Sequence, residues 1–376
     1  MNTVTERAGM PVEQFEGIAR DTAEALRLEL IGGRVGVKAM PDGDHDEFVV
    51  WLIEEFTRRQ RELSVYPERG LRVERYRNGR ARPDCTVAPR RSFAGHGEWA
   101  DPAAVLMVVE VTSFDPDTNR RDREDKPRAY AETGIPLYLL IDRDDRVRRT
   151  GRREIHQRRP PPVRQPPPDP RPDRPHPRHR PPPRSRPVIA WGGMGAEEFE
   201  GIERAADGEF VRLELVRGAM RATVRADGDR SEVVAWLMRT FARLRPEYSL
   251  YAGYGLMVEV DHRGRLRPDA LLAPAGSFAG HGEWADPAAV LMVVEVTSGE
   301  RAHDRRAREE KPLVYAETAI PLCLVIDRDG REAVVHGRPE NGAYATAVRH
   351  PFGTRVHLPV PVDITLDTDR LLNLVR

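Results

Sequence analysis

The chain has 376 residues, 60 basic and 60 acidic, so its formal net charge is zero and its length fits two domains. With 39% hydrophobic and 32% charged residues it has enough apolar material for real cores in a polar chain. Two cysteines exclude a disulfide framework or a four-cysteine zinc site and suit a reduced cytosolic setting, while the absence of a signal-peptide core or a run of ~18 apolar residues excludes a membrane span.

The elements of the first half follow in order. A short helix is expected around Val12 to Ala19, then a hairpin over Leu26 to Met40 turning at Gly32-Gly33. Asp44 to Arg61 places Phe48, Val49, Leu52, Ile53 and Phe56 at helical spacing, and Asp42, Asp44 or Asp46 can cap its start. Strands are expected near Leu63 to Tyr66, Gly70 to Tyr76 and Asp84 to Ala88. Ala104 to Thr112 is a nearly continuous apolar run, the pattern of a central strand buried on both faces. A charged helix over Asn119 to Thr133, ending at Gly134, leads to a second buried strand at Leu137 to Ile141. Strand, helix, strand implies a parallel crossover, and the fold class is α/β: a mixed sheet flanked by helices.

Residues 151 to 188 differ in character. They hold 11 arginines, 3 acidic residues and 14 of the chain's 33 prolines, a local charge of +8, with little to bury. The segment reads as an extended, polyproline-type linker.

Beyond it the chain repeats itself. Ser92 to Ser113 and Ser277 to Ser298 are identical letter for letter, at an offset of 185 that holds from Leu28 (Leu213) to Asp144 (Asp329). Such a period is too long for a solenoid and marks a duplicated domain. The expected division is residues 1–150, the linker 151–188, and a second copy over 189–376. The second copy alone continues through Ala333 to His336, Ala343 to Thr346 and Arg355 to Leu358, which read as strands, so the first is expected to be truncated and the second more complete.

Glu110, with its repeat mate Glu295, lies in the middle of the buried strand, where a carboxylate is costly without a partner. Asp84 (Asp269) opens a strand one element earlier. Lys126 (Lys311) follows Glu110 by 16 residues, and the first copy has only one other lysine, Lys38. Asp122, Lys126 and Tyr130 share a helical face that can look back at the carboxylates. Two acids and a lysine from adjacent elements suit a Mg²⁺ site, since Mg²⁺ takes one or two carboxylates and leaves its other positions to water and phosphate oxygens. An ion pair that only stabilises the fold is the competing reading of the same residues.

The runs Leu28-Glu29-Leu30, Pro83-Asp84, Val109-Glu110-Val111-Thr112-Ser113, Arg121 to Lys126 and Tyr130 to Tyr138 resemble the Uma-two family, restriction endonucleases of the PD-(D/E)xK superfamily. The resemblance covers most of the first copy and nearly all of the second. It implies a restriction-endonuclease-like α/β/α fold and a Mg²⁺- or Mn²⁺-dependent phosphodiesterase acting on DNA. It also implies Asp84, Glu110, Asp269 and Glu295 as metal ligands, Lys126 and Lys311 as catalytic lysines, and Glu29 and Glu214 as supporting acids. The usual superfamily lysine position holds Thr112 and Thr297 instead. Ala307 replaces Asp122, Arg230 replaces His45, Ala319 replaces the capping Gly134, and Pro127 and Pro312 follow the lysines, where a helix begins or bends. Two alternatives stand beside this reading: a nuclease-fold module that binds nucleic acid or protein without cutting, and a chain in which only the second copy is active. The two copies are expected to pair within the chain or through a homodimer. His96 and His281 lie in a Gly-rich loop without zinc spacing, and Trp99 and Trp284 either pack that loop or stack on a base.

Overall fold

The computed structural model describes residues 28–31, 34–38, 41–73, 79–112, 116–143, 156–158, 213–216, 219–222, 227–258, 264–298 and 304–373. The helix expected at Val12 to Ala19 and most of the linker lie outside them. In the first copy β1 (Leu28–Ile31) and β2 (Arg34–Val37) form the expected hairpin, with Leu28 opposite Val37 and Ile31 opposite Arg34. Helix α1 (Gly43–Arg59) follows, and of the three candidate caps it is Asp42 whose side chain accepts from His45 N. Strands β3 (Leu63–Pro67), β4 (Leu71–Val73), β5 (Gly79–Ala81), β6 (Cys85–Pro89) and β7 (Met107–Val111) come next.

The charged helix is built in three pieces: α2 (Pro116–Arg120), a π-helical turn (Arg121–Asp125) and α3 (Lys126–Thr133). Pro127 explains the junction, because it sits in the first turn of α3, where its missing N–H costs least. Gly134 closes α3 at φ 88°, the left-handed cap expected of it. Strand β8 (Leu137–Ile141) then pairs parallel with β7, and β9 (His156–Arg158) pairs antiparallel with β8. β9 comes from the start of the Pro/Arg-rich segment and covers the edge that the shorter first copy would otherwise leave open.

Among the described residues the first copy carries two sheets and the second three. In the first, β3-β6-β7-β8-β9 is mixed, while the hairpin joins a separate antiparallel sheet in the order β2-β1-β5-β4. The second copy repeats the plan with β10 (Leu213–Val216), β11 (Ala219–Ala222), α4 (Gly228–Leu244), β12 (Tyr248–Ala252), β13 (Gly255–Val258), β14 (Gly264–Leu266), β15 (Ala270–Pro274), β16 (Trp284–Ala285) and β17 (Met292–Val296). A π turn (Arg306–Glu310), α5 (Lys311–Glu317) and β18 (Leu322–Asp327) complete the crossover. Here β19 (Glu332–Glu340) and β20 (Ala343–Pro351) extend the mixed sheet to six strands, and β21 (Arg355–Leu358) pairs with β22 (Ile364–Asp367). The mixed α/β class and the duplication are as expected.

The copies pack on each other through a reciprocal contact. Gly43 N donates to His281 O (3.0 Å), and Gly228 N to His96 O (2.8 Å). Asp44 accepts from Gly280 N at 2.8 Å, and Asp229 from Gly95 N at 2.7 Å. Glu47 accepts from Tyr251 Oη (2.8 Å) and Glu232 from Tyr66 Oη (3.1 Å). The acidic first turn of each helix thus reads the Gly-rich loop of the other copy, and that loop lies in the stretch repeated letter for letter. A carboxylate with loop N–H donors is the stronger, charge-assisted kind of hydrogen bond. Behind it one apolar core runs across both copies, from Val49, Leu52 and Ile53 of α1 to Trp236, Leu237 and Phe241 of α4. This is the pairing of an isologous dimer, held within a single chain.

Candidate active site

Glu110 is fully buried in β7 and needs partners. Tyr130 Oη donates to its Oε1 at 2.7 Å, and Lys126 Nζ stands 3.2 Å from its Oε2. Lys126, also fully buried, lies 2.8 Å from Asp122 Oδ1 and 3.2 Å from Glu29 Oε2. Asp122, Lys126 and Tyr130 do share one face, and that face looks at Glu110; Tyr138 Oη bonds the Asp122 carbonyl behind it. Glu29 is held in turn by Arg82 N at 2.6 Å and Arg121 Nη1 at 3.0 Å.

The other end of the cluster rests on Asp84. Its Oδ2 accepts from Val111 N at 2.7 Å, which ties the entry of β6 to the end of β7. Its Oδ1 meets Lys38 Nζ at 2.7 Å and His45 Nε2 at 3.1 Å. Lys38 Nζ also lies 3.1 Å from Glu110 Oε2 and donates to the Arg82 carbonyl at 2.5 Å. Three oxygens, from Asp84, Glu110 and the Arg82 peptide, therefore converge on one cationic position. His45 Nδ1 faces Asp46 Oδ1 at 3.2 Å, so a carboxylate stands at each ring nitrogen. Beside them is a small cleft lined by His45, Asp46, Glu68 and Asp84 of the first copy and Met238 and Tyr251 of the second.

Burial and charge set the protonation states. Burial pushes the Glu110 carboxyl up to about 7 against the pull of Lys126 and Lys38. Burial also works against charge on Asp84, yet Lys38 and His45 hold it well below the usual carboxylate range. For His45 burial favours the neutral ring, but Asp84 and Asp46 override it and raise the imidazole to about 9. Burial opposes charge on Lys126 as well; Asp122, Glu110 and Glu29 outweigh it and keep the ammonium protonated well above the ordinary lysine range.

The second copy assembles less. Lys311 Nζ meets Glu214 Oε1 at 3.0 Å and both Glu295 oxygens at 3.0 and 3.1 Å, and Tyr315 Oη donates to Glu295 at 2.6 Å. Asp269 Oδ2 accepts from Val296 N at 2.6 Å, as its mate does, but its Oδ1 is paired with the Arg230 guanidinium. Arg230 stands where the first copy has His45, and Thr223 where it has Lys38. Ala307 contributes no acid, and Asp304 accepts from Ser298 N at 2.6 Å instead. The shared cationic position between the strand acids is a feature of the first copy among the described residues. So five of the six expected acids are joined through lysines, Glu29, Asp84 and Glu110 in the first copy and Glu214 and Glu295 in the second, while Asp269 is set apart on an arginine.

Sequence reasoning passed over Lys38 as a site residue and treated His45 only as a difference between copies. The available signal was lysine usage: the whole chain has three lysines, and all three lie in these clusters. Thr112 and Thr297, at the usual superfamily lysine position, tie strand ends together by accepting from Arg143 N (2.7 Å) and Arg328 N (2.8 Å). Trp99 and Trp284 pack the loop. Arg82 and Arg267 lie 4.3 and 4.1 Å from their ring centroids, and a Cβ on Gly70 or Gly255 would come within 3 Å of the indole. Cys85 and Cys323 are buried free thiols.

A family model described as "Putative restriction endonuclease" (Uma2) matches residues 12–177 and again 196–369. The chain belongs to the Uma2 family. The two matched stretches fall on the two copies of the repeat, the first running on into the Pro/Arg-rich segment as far as residue 177. A search of curated proteins returns no match. A solved structure described as "a putative nuclease belonging to DUF820 from Anabaena variabilis" aligns at 13% identity, covering 44% of this chain and 91% of its own, with a TM-score of 0.35.

Among the described residues, no group of three His, Cys, Asp or Glu side chains is spaced to hold a metal ion, and no helix is long and apolar enough to cross a membrane. The donor set of the first copy nevertheless fits a hard divalent cation: two carboxylates and a peptide carbonyl already converge on one positive charge, and Mg²⁺ takes its remaining ligands from water and phosphate.

Proposed function

We propose that this Uma2 protein is a divalent-metal-dependent endonuclease that hydrolyses phosphodiester bonds in DNA, with its chemistry in the first copy and the second copy as its structural partner. The observation that carries this is the convergence of Asp84 Oδ1, Glu110 Oε2 and the Arg82 carbonyl on a single cationic position, with Lys126 Nζ 3.2 Å from the same Glu110 oxygen. Membership of a family described as restriction endonucleases supports the reaction class.

Asp84, Glu110 and the Arg82 carbonyl would hold Mg²⁺ or Mn²⁺. Such an ion, when bound, polarises a phosphoryl oxygen and lowers the pKa of a bound water. Lys126 is a fixed positive charge rather than a proton acceptor, because three carboxylates hold its proton. It can orient an attacking water or stabilise charge developing on the phosphate. Tyr130 locks the other Glu110 oxygen, so the carboxylate cannot rotate away. His45, charged beside Asp84, adds a second positive group at the mouth of the cluster. In the second copy Arg230 occupies Asp269, and a guanidinium does not give up its charge by losing a proton. That observation favours a supporting role for the second copy.

The test is cleavage of plasmid and single-stranded DNA by the purified full chain, with Mg²⁺, Mn²⁺ or chelator, beside the Glu110→Ala/Glu295→Ala double variant. Metal-dependent cutting that falls roughly a hundredfold or more in the double variant is the expected result. Cutting that survives both substitutions contradicts the site. A folded wild-type chain that binds DNA without cutting it points to the binding module instead.

A further inference from the structure

We propose that Lys38 is a tethered competitor for the divalent cation, so that the first copy takes up metal only by expelling this ammonium. The inference rests on the reading of Asp84 and Glu110 as metal ligands and concerns how that site is controlled.

Lys38 Nζ lies 2.7 Å from Asp84 Oδ1, 3.1 Å from Glu110 Oε2 and 2.5 Å from the Arg82 carbonyl. These are the oxygens a divalent ion would use. An ammonium and a metal ion cannot share them, since two like charges a few ångströms apart in a buried site repel strongly. The side chain is 95% buried and already satisfied, so it is a seated occupant and not a passing surface lysine.

Its anchorage is suited to release. Lys38 directly follows β2, the outer strand of its sheet, which pairs with β1. An outer strand is held by one ladder and opens at lower cost than a central one. A lysine also carries its charge on a flexible four-carbon stem. Lys126, by contrast, sits on a helix and is locked among three acids. Lys38 is also the one lysine of the chain without a lysine mate in the repeat, where Thr223 stands. The device therefore belongs to the first copy, the copy in which the oxygens converge.

The experiment is Mn²⁺ binding to the full chain without DNA, by calorimetry and by the electron paramagnetic resonance signal of free Mn²⁺. It compares wild type, Lys38→Met and Lys38→Met/Glu110→Gln. Lys38→Met should bind one Mn²⁺ roughly tenfold or more tightly than wild type, and the added Glu110→Gln should remove the gain. Equal affinity of wild type and Lys38→Met, or no binding by either, overturns the proposal.

Because Lys38→Met could disturb folding, a second measurement uses the wild-type chain. With only three lysines, ¹³C-lysine labelling gives three resolvable ε-CH₂ environments. Titration with Mg²⁺ should move the Lys38 signal to that of a solvated lysine. A Lys38 signal unmoved when metal saturates the protein overturns the proposal equally. Failure of the nuclease reading looks different: no variant cuts DNA, yet the Mn²⁺ gain of Lys38→Met persists. Conversely, metal-dependent cutting that needs Glu110, with no change in Mn²⁺ affinity on removing Lys38, leaves the nuclease and removes the competitor.

Discussion

The two copies share a sequence plan and a fold plan, yet they are complete in opposite respects. The second has the fuller fold, with β19 and β20 extending its mixed sheet and β21 and β22 forming a further pair. The first has the fuller site, with His45, Asp122 and Lys38 where the second has Arg230, Ala307 and Thr223. A domain can add strands at its edge without touching its centre. It can also lose a centre by a few substitutions that leave the fold intact, because the acids that remain still find a cation, whether a substituted or a retained one. Arg230 is that cation for Asp269, and Lys311 for Glu214 and Glu295.

Removing the central lysines should widen this difference. Lys126 neutralises three buried acids and Lys311 two. Breaking a buried charge cluster by deleting one partner typically costs ~3–5 kcal/mol. Lys126→Met should fall in that range and Lys311→Met below it, as read from urea midpoints.

The helix glycines test what the copies have in common. A Cβ on Gly43 would sit 1.9 Å from Phe278 O, and one on Gly228 2.0 Å from Phe93 O, each in the other copy. Gly43→Ala and Gly228→Ala should each destabilise by about 3 kcal/mol, and by similar amounts, because the contact is reciprocal. A large inequality in calorimetric Tm would show that the pairing is not symmetric in energy.

A pH dependence tests one side of the same contact. Burial raises the Glu232 carboxyl above its ordinary 4.5, despite bonds from Phe93 N and Tyr66. A raised folded pKa means that the protonated form is favoured in the fold. Its contribution to stability is therefore full below the unfolded value and is lost as pH rises through the folded one. Glu232→Gln should flatten that fall in urea midpoints taken from pH 4 to pH 7. An unchanged slope would remove Glu232 as its source.

The smallest effect concerns the helix ends. Gly134 adopts φ 88° and its mate Ala319 φ 61°, a left-handed position that disfavours a side chain. Ala319→Gly should stabilise by roughly 0.5–1 kcal/mol and Gly134→Ala destabilise by about as much.

What the sequence revealed follows from how local each signal was. The buried strand around Glu110, the Asp84 entry and the shared face of Asp122, Lys126 and Tyr130 are periodic patterns within short windows, and the structure keeps them together. Lys38 was illegible as a partner of Glu110, because the two are 72 residues apart and meet only when the hairpin folds back on the sheet. The contact between copies was hidden for the same reason. Asp44 and Glu47 look like ordinary first-turn helix acids until a loop N–H and a strand tyrosine O–H, both more than 200 residues away, bind them. Greater length in the second copy suggested a more complete domain, but strand number and site composition vary independently.

The most direct measurement is metal-dependent plasmid cleavage by single-copy variants of the full chain, Glu110→Gln against Glu295→Gln, each checked for an unchanged fold. Loss of roughly a hundredfold or more on Glu110→Gln, with cutting retained by Glu295→Gln, is the predicted result. Retained cutting by Glu110→Gln together with loss on Glu295→Gln would place the chemistry in the second copy and contradict it.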